Sequence, residues 1–300
     1  MKEESLRLNV NGLHMHVRSV GQGPAVVLLH GFPDTHMVWR KQVAPLVKAG
    51  YRVLAPDLRG YGQTDAPQAV SAYRLEHICA DVLGMLDLLG IERARLVGHD
   101  WGALVGWLLC MEAPARIEQY VALSVGHPAA FSRAGLDQKL RSAYMLWFMV
   151  PGLAERSLAA ADFYLMRHFT SDRTQVSYWR RSLRDPERMT AALNYYRANV
   201  PRGLLFASKN EPVTVPVMGV WSSLDPALGE QQMVDSAHYV SAGFRYERID
   251  GADHWLQVTA AEQVNALLLN FFQVRLPGLP TPVPPCSMAA ETRVHPHGGL

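Results

Sequence analysis

Cysteine is scarce in this 300-residue chain, with three in all: Cys79, Cys110 and Cys286. Their odd number and wide spacing form neither a disulfide framework nor a metal-binding pattern, which suits a reducing cytosol. No apolar run reaches the roughly 18 residues that a membrane-spanning helix needs. Charge of one sign is missing too: Lys plus Arg is 29 and Asp plus Glu is 27, a net charge of +2. That balance argues against a nucleic-acid binder, which would carry a concentrated basic footprint. The start, Met1-Lys2-Glu3-Glu4, lacks the apolar stretch of a secretion signal. A cytoplasmic location is the expectation. What is present is ordinary for a globular enzyme, 49% apolar and 19% charged residues. At this length about 75% of the unfolded surface can be buried.

Hydrophobic patterning gives the organisation. Arg7–Val10 and His14–Ser19 read as strands around Asn11-Gly12, a strong hairpin signal. Ala25–Leu29 is a continuous apolar run, as in a strand buried on both faces. Helices are predicted over Val38–Gly50, Leu75–Leu89, Ala103–Ala113 and Ala260–Gln273, and strands over Arg52–Ala55, Ala94–Val97, Tyr120–Ser124, Val217–Trp221 and Phe244–Arg248. The alternation of strand and helix predicts an α/β class with a mostly parallel sheet and helices on both faces. It breaks between about Pro128 and Pro212, a stretch rich in aromatics, Met and Arg that reads as several helices. The expected division is therefore a core over 1–127, a helical insertion over 128–213, a second core part over 214–275 and a Pro-rich tail over 276–300.

Chemistry concentrates in a few loops. Gly98-His99-Asp100-Trp101-Gly102 lies between a predicted strand and a predicted helix. Glycines two before and two after a central residue mark a nucleophile elbow, the strained turn that thrusts its central side chain above the sheet. Here that residue is Asp100. A carboxylate at a helix N-terminus is stabilised as the anion, so it is ready without a base to activate it, unlike serine. His30-Gly31-Phe32-Pro33 follows the Ala25–Leu29 strand, and Pro33 is a candidate for a cis bond. Such a turn can aim the Phe32 N–H into the cleft, where with the Trp101 N–H it would form an oxyanion hole. Asp225 and His254 follow the last two predicted strands, where sheets of this kind place their sites. His254 can activate water, and Asp225 would orient it. Asp250 and Asp253 are competing acids, ranked lower because residues so near His254 in a turn have difficulty facing its ring.

Together His30–Pro33, Gly98–Gly102, Asp225 and His254 resemble the α/β-hydrolase fold, in its epoxide hydrolase and haloalkane dehalogenase branch, over about residues 1–275. The resemblance implies an eight-stranded sheet and makes the helical insertion a lid. In epoxide hydrolases two lid tyrosines hydrogen-bond the epoxide oxygen. One stands seven residues before a Pro-Gly, as Tyr144 does before Pro151-Gly152; the other lies in an Asn-aromatic-Tyr-Arg run, matched by Asn194-Tyr195-Tyr196-Arg197. The resemblance thus makes Tyr144 and Tyr196 the acids, Tyr195 being one position away. Dehalogenases need donors for a departing halide; Trp101 offers one, whereas Phe32 does not, and fluoroacetate dehalogenases carry Arg where Trp101 stands. The implied activity is hydrolysis of an apolar epoxide to a vicinal diol through an ester on Asp100. The partners are the small-molecule epoxide and water, with no nucleic acid or membrane and no metal or organic cofactor. Trp101, Phe32, Trp147 and Phe148 are expected to contact the substrate. The alternatives are a haloalkane dehalogenase using the same Asp100, Asp225 and His254, and a catalytically silent hydrolase-fold binding protein. Oligomeric state is not legible in the sequence.

Overall fold

The computed structural model describes residues 2–201 and 212–273. A hairpin opens it. β1 (Glu3–Val10) and β2 (Leu13–Val20) pair antiparallel around Asn11 and Gly12, whose φ values of 50° and 78° are those of a tight hairpin turn. β1 begins four residues earlier than its apolar pattern suggested, because the polar Glu3–Leu6 stretch still pairs with β2 at an edge open to solvent.

Eight strands form one sheet in the order β1-β2-β4-β3-β5-β6-β7-β8. β2 pairs antiparallel with β4 (Arg52–Pro56). From there β4, β3 (Ala25–Leu29), β5 (Ala94–His99), β6 (Ile117–Leu123), β7 (Val217–Ser222) and β8 (Phe244–Ile249) run parallel. Every residue of β3 and of β7 is buried, as central parallel strands covered on both faces must be. Each fully buried Val or Leu there contributes about 1.5–3 kcal/mol over the exposed state.

Helices α1 (Arg40–Lys48), α2 (Leu75–Leu88), α3 (Trp101–Glu112) and α12 (Ala261–Gln273) accompany the sheet. The predicted helix over Val38–Gly50 is split: His36–Trp39 is a 3-10 turn capped by Thr35, and α1 follows it. α2 buries Leu75, Ile78, Cys79, Val82, Met85 and Leu86, the stripe spaced by threes and fours.

Among the described residues between β6 and β7 lie six α-helices: α4 (Pro128–Arg133), α5 (Leu136–Arg141), α6 (Tyr144–Phe148), α7 (Leu153–Phe163), α8 (Arg173–Ser182) and α9 (Pro186–Asn199). The short α10 (Glu230–Val234) and α11 (Leu256–Thr259) complete the set. Among the described residues no helix is long and apolar enough to cross a membrane. The expected Pro-rich tail lies outside the described residues.

Candidate active site

β5 hands over to α3 through a single residue, Asp100, with φ 53° and ψ −121°. A non-glycine residue at positive φ is strained, and such strain concentrates at functional sites. The turn is only possible because its neighbours are small. A β-carbon on Gly102 would stand 2.6 Å from the His30 carbonyl oxygen and strike the Leu29 backbone. Opposite, the Phe32–Pro33 peptide is cis, and the Phe32 N–H donates to Asp100 Oδ1 at 2.7 Å. Gly31 makes room for that contact: a β-carbon there would fall on the Asp100 carboxylate, 2.5 Å from its Cβ. The Trp101 N–H also donates to Asp100. Burial opposes the Asp100 charge, but His254 and these N–H groups outweigh it and hold the carboxyl below its usual range.

His254 sits in the loop after β8, and Asp225 in the loop after β7. Asp225 Oδ2 lies 2.7 Å from His254 Nδ1. Its other oxygen accepts the Ala227 and Leu228 N–H groups at 2.8 and 2.9 Å, so the carboxylate is fixed before it meets the ring. His254 Nε2 faces Asp100 Oδ2 at 3.7 Å. The His254 carbonyl is anchored in turn by the Ser124 hydroxyl at 3.1 Å. Burial disfavours the imidazolium, yet the Asp225 and Asp100 carboxylates overcome it and lift the ring to about 10. The competing acids point elsewhere. Asp250 pairs with the exposed Arg248, and Asp253 accepts from Thr170, Ser171 and Thr259.

Facing Asp100 across a cavity are Tyr144, the first residue of α6, and Tyr196 on α9. Their rings are 6.3 Å apart. Asp100, Trp101, Leu104, Phe131, Met145 and Leu228 share the lining with them, and the empty space is ≈ 460 Å³ counting its open mouth. Tyr196 is wedged against Trp101, ring centroids 4.9 Å apart. Burial pushes both phenols well up, so they remain donors at any working pH. Tyr195 is turned the other way; its hydroxyl donates to the Arg59 carbonyl at 2.8 Å, so the neighbouring position, Tyr196, supplies the cavity. Phe32, Trp147 and Phe148, expected against the substrate, are not among the lining residues. Phe148 stands one helical turn beyond Tyr144 on the same face, so it packs behind it, against Phe32 at 5.2 Å, and Trp147 packs on Phe148 at 5.0 Å. Met145, beside Tyr144, takes the lining place instead.

One residue of this region escaped the sequence reading. Asp34 is fully buried and accepts from three side chains: Gln175 Nε2 at 2.7 Å, Trp179 Nε1 at 2.5 Å and Trp255 Nε1 at 2.9 Å. Gln175 and Trp179 belong to α8, and Trp255 adjoins His254. Burial pushes the Asp34 carboxyl up to about 7 against the pull of those donors. Its place directly after Pro33 was the only available signal, since its partners lie 141 to 221 residues away.

With this geometry in place, comparison defines the class. The alpha/beta hydrolase fold family model matches residues 24–261, and the chain belongs to that family. More particularly, its relatives include Epoxide hydrolase A of Mycobacterium tuberculosis, 32% identical over 88% of this chain and 95% of that protein. The AB hydrolase superfamily protein YfhM of Bacillus subtilis is 34% identical over 89% of this chain and 96% of its own. Among solved structures, an epoxide hydrolase from Vigna radiata superposes with a TM-score of 0.80 at 32% identity, covering 90% of this chain and 97% of its own.

Proposed function

We propose that this protein is an epoxide hydrolase that forms a covalent ester on Asp100, with the helices between β6 and β7 serving as its lid. The observation that carries the reading is the opposition of the Asp100 carboxylate, with Asp225 and His254 behind it, to two protonated phenols across one apolar cavity. A carboxylate is a nucleophile that needs no base. Attack by an Asp100 oxygen on an epoxide carbon breaks the C–O bond and leaves an alkoxide. Tyr144 and Tyr196 hydrogen-bond that oxygen and supply its proton.

The electrostatics divide the two half-reactions. While Asp100 is an anion, it helps hold the proton on His254. Esterification removes that charge, so the ring loses one of the two carboxylates that raised it; its proton makes good the one the phenol gave to the alkoxide, and the neutral imidazole becomes a competent base. His254, oriented by Asp225, then takes a proton from water, which attacks the Asp100 carbonyl carbon. The oxyanion forms on an atom that the Phe32 N–H already touches, and one such donor is worth about 3–4 kcal/mol. Collapse breaks the acyl C–O bond, the departing alkoxide takes the second proton of the attacking water, and the vicinal diol leaves with the Asp100 carboxylate and the His254 imidazolium restored. Epoxide and water are the only reactants. The lining, with Leu104, Phe131, Met145 and Leu228, suits an apolar substrate.

A single turnover in water labelled with oxygen-18 tests the scheme. The label is expected on Asp100, found by mass spectrometry of its peptide, and not in the first diol. Label in that diol would mean that water opened the ring directly. The same epoxide panel run beside haloalkanes separates the two chemistries: diol without halide release is expected.

A further inference from the structure

We propose that His16, His36 and Asp57, none of which belongs to the Asp100–Asp225–His254 group, form a binding site for a zinc ion. Three elements meet there. His16 lies on β2, His36 opens the 3-10 turn that follows Thr35, and Asp57 directly follows β4. The Nδ1 atoms of both rings lie 2.8 Å from the Asp57 carboxylate, His36 on one oxygen and His16 on the other. One ligand atom from each of the three residues falls within 4.8 Å of the others, and among the described residues this is the group able to hold a metal ion. Two imidazoles and a carboxylate suit zinc, whose bonds to such atoms are about 2.0–2.2 Å. Nitrogen ligands weigh against magnesium or calcium, which take oxygen.

Two of the three ligands, Asp57 and His16, are held in place by partners that the metal does not displace. Asp57 Oδ1 accepts the His36 backbone N–H at 2.9 Å, and Oδ2 accepts the Gln63 N–H at 3.0 Å. The carboxylate therefore keeps its orientation when the two imidazole hydrogen bonds are exchanged for metal bonds. His16 Nε2 lies 3.0 Å from Ser5 Oγ, an acceptor for the proton that must move from Nδ1 to Nε2 when Nδ1 coordinates. Such outer partners are what fix ring orientation and tautomer in metal sites. Access is through His36, whose side chain is 13% exposed, while the Asp57 side chain is sealed. Two rings sharing one buried carboxylate would also serve as a plain hydrogen-bonded clasp, and the test separates the two.

Full-length protein, stripped with chelator and then desalted, is titrated with zinc chloride by calorimetry and its metal content measured after a second desalting. About one zinc per chain is expected, with a rise in Tm. The histidine ring ¹⁵N spectrum should show two residues passing from the Nδ1–H to the Nε2–H tautomer on zinc addition. H36Q, at the partly exposed position, should fold and bind at least tenfold more weakly, as should H16Q. Absence of zinc uptake, or uptake that both variants retain in full, overturns the proposal, as does an unchanged tautomer in the zinc-loaded wild type.

Discussion

The groups facing the cavity come from two kinds of structure. Asp100, Asp225 and His254 sit at the carboxyl ends of parallel strands, each fixed by backbone donors or by neighbouring loops. Tyr144 and Tyr196 come from the helices between β6 and β7, where order is less uniform. α6 is five residues long; its Leu146 is 70% exposed, and Leu136 and Leu140 on the preceding α5 are 71% and 67% exposed. α7 leaves helical geometry at Ala160–Asp162, and Ala161, Asp162 and Phe163 all hold positive φ. α9 is the exception: Tyr195 and Tyr196 are buried, and Asn199 pins the helix end to Tyr73 and Leu75. Strand ends thus offer fixed geometry for the proposed covalent steps, and the helices offer one firm and one looser position for the proposed donors.

The sharpest way to break that division is to remove the strand-end groups. Asp100→Ala should lower turnover by at least about 10⁴-fold, measured as diol formation, because no other group can form the ester. Undiminished hydrolysis would refute covalent catalysis. His254→Gln should leave alkylation and stop release, so that mass spectrometry shows one substrate mass added to the Asp100 peptide. Steady turnover should fall about 10³-fold or more. An H254Q protein that never accumulates adduct while still binding epoxide would place His254 before the ester, contrary to the scheme.

The helical side is sharpened by comparing its two donors. Tyr196→Phe should slow single-turnover alkylation by about 10²-fold, within the usual range for a positioned proton donor. Tyr144→Phe should cost less, since α6 is short and its ring only half-buried. Release of a preformed ester should be unaffected in both. Equal losses in the two variants would show that the firmness of α9 does not matter.

The sequence was most legible around the proposed nucleophile. A strand followed by two glycines with three residues between them leaves little freedom, and the elbow at Asp100 follows from small side chains that local spacing displays. The central strands were visible because burial on both faces writes an unbroken apolar run. Ends were less visible. α3 begins at Trp101, two residues earlier than periodicity indicated, because the cap residue is Asp100 itself. Choosing Asp225 over Asp250 and Asp253 rested on a stereochemical argument about turns, and the geometry selects the same residue. Trp147 and Phe148 pack behind Tyr144 and not on the cavity wall, a distinction not legible in the sequence because an aromatic run on a helix does not say which of its faces the cavity takes. Asp34 and the His16–His36–Asp57 cluster were invisible, since residues far apart in sequence assemble them.

Asp34 joins the two regions, α8 on one side and the His254 loop on the other, so it tests whether they move as one. Its carboxyl is lifted to about 7 in the fold, against about 3.9 in an unfolded chain. The folded state therefore binds the extra proton between those values. Stability from this group is complete below about pH 4 and is lost as pH rises through 7, by at most about 1.4 kcal/mol per pH unit. Asp34→Asn removes the titration and exchanges one acceptor for a donor facing the indole N–H groups, at a cost of about 1–3 kcal/mol. Urea unfolding from pH 4 to 8 should show the variant's deficit widest at the acid end and narrowing toward neutrality. A deficit that stays level over this range would mean Asp34 is an anion throughout. In that case the three donors, not burial, would set its charge.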